Sequence, residues 1–257
     1  MTAVWRVIPL ALLAAASASA SGLAEDSAPQ LQDPHALERI RSTIEFMASR
    51  GSRVSGYPGS REASDYVEDA FRRLGVGDVR REEFEVTVPL DLGAALIVPE
   101  WGEGEIELYG MWPNLVRTTS VPPEGIEASL VYAGSGEYGT FDGIDLSGAV
   151  VLMEFNSWDH WLRLAALGAR AIIFIGPEET SYLQSLGKTS DVPLNIPRFW
   201  VDREDGLKLR RRLQGEAPVS LAVRLHSRMD WRRQPAWNIW GTVAGQDLEL
   251  AGETVVV

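Results

Sequence analysis

The sequence contains no cysteine among its 257 residues. Disulfide bonds therefore contribute nothing to the fold, and the lipid-modified cysteine of a lipoprotein terminus is excluded. Basic side chains are also few, since 24 Lys and Arg stand against 36 Asp and Glu, for a formal net charge of -12. Such a surface repels phosphate backbones, so no nucleic-acid partner is expected.

Histidine is scarce as well, with only His35, His160 and His226 in the chain. None of them falls in an H-x-D, H-E-x-x-H or other paired spacing that would present two ligands to one metal ion. His226 lies close before Asp230, but the two follow a predicted strand rather than sharing one face of a helix. We therefore predict solvated or core imidazoles and assign no metal ligand.

The residue types of nucleophilic and acid–base catalysis lack the spacing that these chemistries need. There is no G-x-S-x-G elbow, and the nearest similar stretch, Gly134-Ser135-Gly136, lacks the final spacing. The acidic pairs Glu82-Glu83 and Glu178-Glu179 flank predicted strands at exposed positions, and Arg210–Arg212 is predicted to be the solvent-exposed side of a late helix. No catalytic residue is assigned.

One glycine-rich stretch matches a nucleotide-binding pattern. Gly134–Gly139 reads G-x-G-x-x-G, follows a predicted strand and has an acidic residue, Glu154, further along the chain. A phosphate-binding turn also needs the N-terminus of a helix, and residues 140–148 show no helical pattern. We predict a surface loop here and assign no cofactor-binding residue.

The first residues read as an export signal. Arg6 precedes the apolar run 7–16, and Ala18-Ser19-Ala20 is a small-residue cleavage site. We predict a signal peptide over residues 1–20, with an uncleaved anchor as the alternative, and a polar linker over 21–32. No other segment is expected to cross a membrane, and the mature protein is expected to be secreted or periplasmic.

The following stretch predicts a helix–helix–strand entry into an α/β domain. Residues 33–49 begin with Asp and Pro, which favour a helix start, and continue with apolar residues at helical spacing. Ser60 is predicted to cap a second helix that ends before Gly75. Alternating residues over 84–88 predict a half-buried strand, closed by Pro89.

The middle of the chain predicts a second unit. Short apolar strands at 130–133, 150–153 and 171–175, with a helical face over 158–166, indicate a parallel βαβ arrangement. Further elements are a strand at 199–201, a helix from Asp202 or Asp205 through Leu213, and a strand over 219–225. Strands at 238–243 and 253–257 are then predicted to resume the first domain.

Five stretches, in their order along the chain, resemble the secreted zinc-dependent exopeptidases, which include bacterial aminopeptidases and their glutamate carboxypeptidase and transferrin receptor relatives. They are residues 53–67, 145–152, 165–174, 195–197 and 237–245. The resemblance implies an exopeptidase segment at 33–114, an inserted protease-associated domain at 115–227 and re-entry strands at 228–257. A departure is Ala149, where the family often has Lys or Arg.

The resemblance implies an incomplete zinc-exopeptidase α/β domain with an inserted protease-associated domain, a small, mixed, barrel-like sheet with few helices. Such enzymes cleave peptide or protein substrates with two zinc ions, bound first by a His-x-Asp pair after a valine-rich strand. No ligand of that set matches a position of this chain, so the chain is expected to bind no zinc and to be the N-terminal part of an exopeptidase without its catalytic half. Two alternatives remain: a non-catalytic, receptor-like relative, and a complete secreted binding module.

Overall fold

A computed structural model describes residues 34–102, 104–114, 117–189, 193–215, 219–247, 249 and 252–256. The predicted signal peptide, the linker and the Asp33 cap lie outside these residues. The chain divides into two compact units, Met1–Arg80 with Ile239–Val257, and Arg81–Asn238. Among the described residues, every helix is too short or too polar to cross a bilayer.

The first unit contains helices α1 (Pro34–Ala48) and α2 (Pro58–Arg73), as the sequence predicted. The two helices pack through stacked rings, with the centroids of Phe46 and Tyr66 4.2 Å apart, and through a hydrogen bond of 2.8 Å between Thr43 Oγ1 and the Tyr66 hydroxyl. This contact fixes the two helices against one another.

The prediction that Ser60 caps α2 is wrong. Tyr57 has extended backbone and precedes Pro58 in the first turn, so the helix begins where a proline ring favours helical geometry. The predicted helix end is confirmed, because Gly75 has a φ of +75° and its N–H bonds to the Arg72 carbonyl oxygen.

The second unit contains most of a closed, mixed seven-stranded barrel with few helices around it, which confirms the α/β class. The strands follow one another around the barrel in the order β1-β2-β6-β5-β4-β3-β7. The run β3-β4-β5-β6 is parallel, and the pairs β1–β2, β2–β6 and β3–β7 are antiparallel. The strands are β1 (Gly77–Ile97), β2 (Glu105–Gly110), β3 (Ile126–Tyr132), β4 (Val150–Glu154), β5 (Ala171–Ile175), β6 (Arg198–Val201) and β7 (Leu221–Thr242). The helices are α3 (Trp161–Ala166), α4 (Tyr182–Thr189) and α5 (Arg203–Leu213).

The central strands are apolar throughout because both of their faces are buried. Leu152 and Ile173 are register partners on β4 and β5 and belong to one apolar cluster, which also takes in residues of α5. Their neighbours Val151 and Ile172 point the other way, into a second cluster that includes residues of α3. The barrel therefore has a filled interior and a second apolar layer on its outer face.

The long strands differ from the prediction. β1 continues through Pro89 instead of ending there, and the two strands predicted at 219–225 and 238–243 are one strand, β7. Closure of the barrel makes β1, which contains Phe84, a neighbour of β7, which contains Ile239. Pairing between distant parts of the chain overrides the local breaking signal of proline.

Two elements of the barrel unit, β2 and α4, were not predicted at all. The strand predicted over 253–257 is also not observed, since residues 253–256 have no strand assignment and Val255 and Val256 are exposed. Val257 lies outside the described residues. A valine-rich run forms a strand only where a neighbouring strand accepts its backbone hydrogen bonds.

Candidate functional site at the carboxyl ends of the parallel strands

Three loops follow β3, β4 and β5, and they meet at one edge of the barrel because these strands are parallel. They are residues 133–140, 155–160 and 176–181, and the last leads directly into α4. We call these loops, together with the first turn of α4 as far as Gln184, the carboxyl edge. Loops held on a rigid scaffold are where binding residues are concentrated in many folds.

The glycine-rich stretch forms the first of these loops. Gly134 and Gly136 have φ values of +57° and +76°, and the loop ends in a single 3-10 turn at Tyr138–Thr140. Because no α-helix begins there, the loop lacks the helix N-terminus that a phosphate-binding turn requires. The prediction of a surface loop is confirmed. Its backbone is held by His160, whose Nδ1 lies 3.1 Å from the Ser135 carbonyl oxygen.

The second loop carries a strained tryptophan. Trp158 was predicted to lie in a helix, but α3 begins at Trp161, and Trp158 has a φ of +48° with 54% of its surface exposed. A bulky side chain at positive φ is uncommon and costs about 1–3 kcal/mol, so the surroundings must hold it. The Trp158 N–H donates to Gln184 Oε1 over 2.9 Å, and its carbonyl oxygen accepts from Lys188 Nζ over 3.0 Å.

Other hydrogen bonds tie the second loop to the third. Asn156 Nδ2 donates to the Glu179 carbonyl oxygen at 2.8 Å, and Thr180 Oγ1 donates to Asn156 Oδ1 at 2.7 Å. At the other end of α4, Trp161 Nε1 donates to the Gly187 carbonyl oxygen at 3.0 Å. Trp158 is therefore held by a network that spans both loops and α4.

Lys188 is the centre of this network and has no exposed surface. Besides the Trp158 carbonyl oxygen, its Nζ donates to the carbonyl oxygen of Gln184 at 3.0 Å and to Gln184 Oε1 at 3.3 Å. It also lies 5.0 Å and 5.5 Å from the ring centroids of Phe155 and Phe174. Burial lowers the pKa of Lys188 to about 8, and the nearby charge of Asp159 opposes that shift.

A second buried cation lies beside it. The Arg198 guanidinium packs 5.3 Å over the Trp161 ring, donates through Nη1 to the Lys188 carbonyl oxygen, and through Nη2 to the Trp112 carbonyl oxygen at 3.2 Å. Burial lowers the pKa of Arg198 to about 10. Carbonyl oxygens and ring faces thus take the place that carboxylates usually fill around buried cations.

A polar triad closes the ends of β3 and β4. The Tyr132 hydroxyl donates to Glu154 Oε1 at 2.6 Å, and Arg210 Nη1 donates to the same oxygen at 2.9 Å. Burial, and then the hydrogen bond to Glu154, raise the pKa of Tyr132. The prediction of a solvent-exposed basic run is confirmed for Arg211 and for Arg212, which also contacts Glu100, and is wrong for Arg210, which is half-buried against Glu154. Glu154, the acidic residue of the nucleotide pattern, is committed to this triad.

The three histidines lie in separate places. His35 is on α1, 3.8 Å from Glu38, and His160 packs against the glycine-rich loop.

His226 lines a groove of about 890 Å³ over Ala94 and Ala95, together with Glu105, Glu107, Arg228 and Asp230. Asp230 is paired with Arg228 at 2.7 Å, and this contact lowers its pKa. Among the residues that the structure describes, no three His, Asp or Glu side chains are grouped to hold a metal ion.

The strain at Trp158 predicts an unusual order of stability. Trp158→Gly is expected to be about 1 kcal/mol more stable than Trp158→Ala, because glycine adopts positive φ without the steric cost that alanine pays. Urea unfolding of the two variants measures the difference. Trp231 is the matched control, since it is 55% exposed but lies within β7. There the glycine variant should be the less stable one, and the same order at both sites would contradict the strain at Trp158.

The sequence matches no protein-family model and no curated protein. The structure is similar to an aminopeptidase from Aneurinibacillus sp. strain AM-1, with a TM-score of 0.41, 22% identity and coverage of 79% of this chain and 46% of that one. It is similar to a peptidase M28 precursor from Shewanella amazonensis SB2B, with a TM-score of 0.46, 13% identity and coverage of 77% and 49%.

A third similar structure is the psychrophilic subtilisin-like protease Apa1 from Pseudoalteromonas sp. AS-11, with a TM-score of 0.32, 14% identity and coverage of 58% of this chain and 36% of that one. This chain thus covers about half or less of the length of each of these three structures.

Proposed function

We propose that this chain is the N-terminal part of a secreted zinc-dependent exopeptidase, with a protease-associated domain at residues 115–227. The observation that carries the proposal is the interrupted first unit, built from Met1–Arg80 and Ile239–Val257 with Arg81–Asn238 between them. The resembling family carries its inserted domain at this place in the chain. The barrel unit, Arg81–Asn238, includes all of the range proposed for the protease-associated domain. It also includes β2 and most of β1, which precede that range.

The face of α1 supports the same proposal. Leu37, Ile40 and Ile44 recur at helical spacing along α1, and all three are exposed. An apolar stripe of this kind normally packs against the core of its own domain. In the proposed enzyme, the catalytic half of the exopeptidase domain covers this stripe.

The proposed zinc ions do not fit the described part of this chain. No cluster of three potential ligands is present there, and no side chain matches the family's ligand positions. We therefore derive no catalytic step from these residues and propose that this chain contributes substrate access and fold, with peptides or proteins as the substrates. The proposed location is secreted or periplasmic.

The native protein provides the test. An antibody raised against the purified chain captures the native protein from culture medium or periplasmic extract. We expect a protein longer than this chain, with bound zinc by elemental analysis, that hydrolyses amino-acid nitroanilides or peptide C-termini. A chelator should abolish that activity and added Zn²⁺ should restore it. Serum from the same animal before immunisation is the control for capture.

A non-catalytic, receptor-like protein is the second candidate, and Trp158 is the observation that favours it. An exposed tryptophan held in a strained conformation is more typical of a binding surface than of a structural loop. A captured long protein without zinc and without peptidase activity would overturn the exopeptidase proposal and support this one. A captured protein of the same length as this chain would instead support a complete secreted binding module.

A further inference from the structure

We propose that the carboxyl edge is a docking surface for a polypeptide segment that carries apolar and basic side chains, with Trp158 as its anchor. The proposal goes beyond peptidase activity and does not depend on it. It would apply equally to an enzyme and to a receptor-like protein.

The backbone of Trp158 is held in place before any partner arrives. Its N–H and its carbonyl oxygen are fixed by Gln184 and Lys188, and the preceding Asn156 is fixed by Glu179 and Thr180. A backbone segment ordered in advance loses little entropy on binding. A binding contact made by the exposed indole would therefore account for the free-energy cost of the positive φ of Trp158.

The amide and carbonyl of Trp158 are engaged internally, and so are both ends of the Asn156 amide. Three of the exposed side chains at this edge are apolar or amphipathic, namely Trp158, Tyr182 and Leu183. Tryptophan and tyrosine are enriched among the residues that contribute most to protein interfaces.

The loops around this apolar centre carry negative charge. Glu137, Asp159 and Glu179 are exposed carboxylates on the three loops. The nearby cations are engaged, since the Arg163 guanidinium lies 5.0 Å over the Tyr138 ring and Arg203 contacts Glu178 at 3.5 Å. An apolar centre within an acidic rim selects a partner with apolar and basic side chains.

The same charge disfavours two other occupants. Anionic membranes repel a surface rimmed by carboxylates. A second copy of this chain carries the same net charge of -12 and would bring like charges together. A basic polypeptide segment is therefore the occupant to which the observations point.

The test uses a short, fluorescently labelled, soluble peptide in which leucine and arginine alternate, and it measures the anisotropy of the label as the purified chain is added. We expect saturable binding that Trp158→Ala weakens about tenfold or more, and Leu183→Ala weakens roughly threefold. Trp231→Ala, at an equally exposed tryptophan on β7, should change it less than about twofold. A peptide with glutamate in place of arginine should bind far more weakly.

Each of several results would overturn the proposal. These are failure of the wild-type chain to bind the Leu-Arg peptide, equal binding of the glutamate peptide, or equal losses at Trp158 and Trp231. Binding to phosphatidylserine vesicles that depends on Trp158 would assign the edge to membranes instead. A dimer in sedimentation velocity that Trp158→Ala abolishes would assign it to a second copy.

Discussion

Replacement of Trp161 by alanine is expected to destabilise the barrel unit by about 3–5 kcal/mol. The side chain is fully buried in the apolar cluster on the outer face of the sheet. Its loss leaves a cavity, removes the ring face beneath Arg198 and leaves the Gly187 carbonyl oxygen without its indole donor. Because small domains have only about 5–15 kcal/mol of stability in total, this single change removes a large part of it.

Urea unfolding measures this loss, and two controls separate its causes. Trp161→Phe keeps most of the ring volume and loses the hydrogen bond from Nε1, so it should cost only about 1–2 kcal/mol. Trp231→Ala removes an exposed indole and should change the unfolding free energy by about 0.5 kcal/mol or less. A Trp161→Ala variant within 1 kcal/mol of the wild-type chain would contradict the packing described for this cluster.

The elements that could be predicted from the sequence are those whose local pattern agrees with their burial. β4 and β5 are short, β-branched and buried on both faces, so their apolar runs identified them. β2 was not predicted, although its sequence carries the pattern of a half-buried strand. Ile106 and Leu108 alternate with polar residues and point into the barrel. A search for alternation alone would have found it.

The candidate site was missed for a different reason. In α4, Gln184 and Lys188 are buried, whereas Tyr182 and Leu183 are exposed. This arrangement inverts the usual relation between hydropathy and burial, so the apolar periodicity of the segment points away from the core. The conformation of Trp158 depends on hydrogen bonds to this helix. It could not be predicted from the residues next to Trp158, which favour a helix there.

The burial of Lys188 on α4 also leads to a prediction about pH, because Lys188 loses its proton more readily in the folded protein than in the unfolded chain. Its pKa is lowered from 10.5 to about 8 by burial. Between these values the unfolded chain binds one proton more than the folded protein at this site. Stability from this group therefore rises as the pH rises through that window, at about 1.4 kcal/mol per pH unit. Below pH 8 both states bind the proton, and the cost of burying the charge is present in full.

Lys188→Met tests this expectation, since methionine fills a similar volume and does not titrate. The free energy of unfolding is measured by urea between pH 8 and pH 9, where Arg198, with a pKa of about 10, still keeps most of its proton. The difference in stability between the wild-type chain and the variant should grow in favour of the wild type across this window. Lys208→Met is the matched control, because Lys208 is on the surface of α5, paired with Glu204 and Asp205. A difference that stays constant with pH would show that Lys188 keeps its proton, and that its three carbonyl acceptors outweigh the cost of its burial.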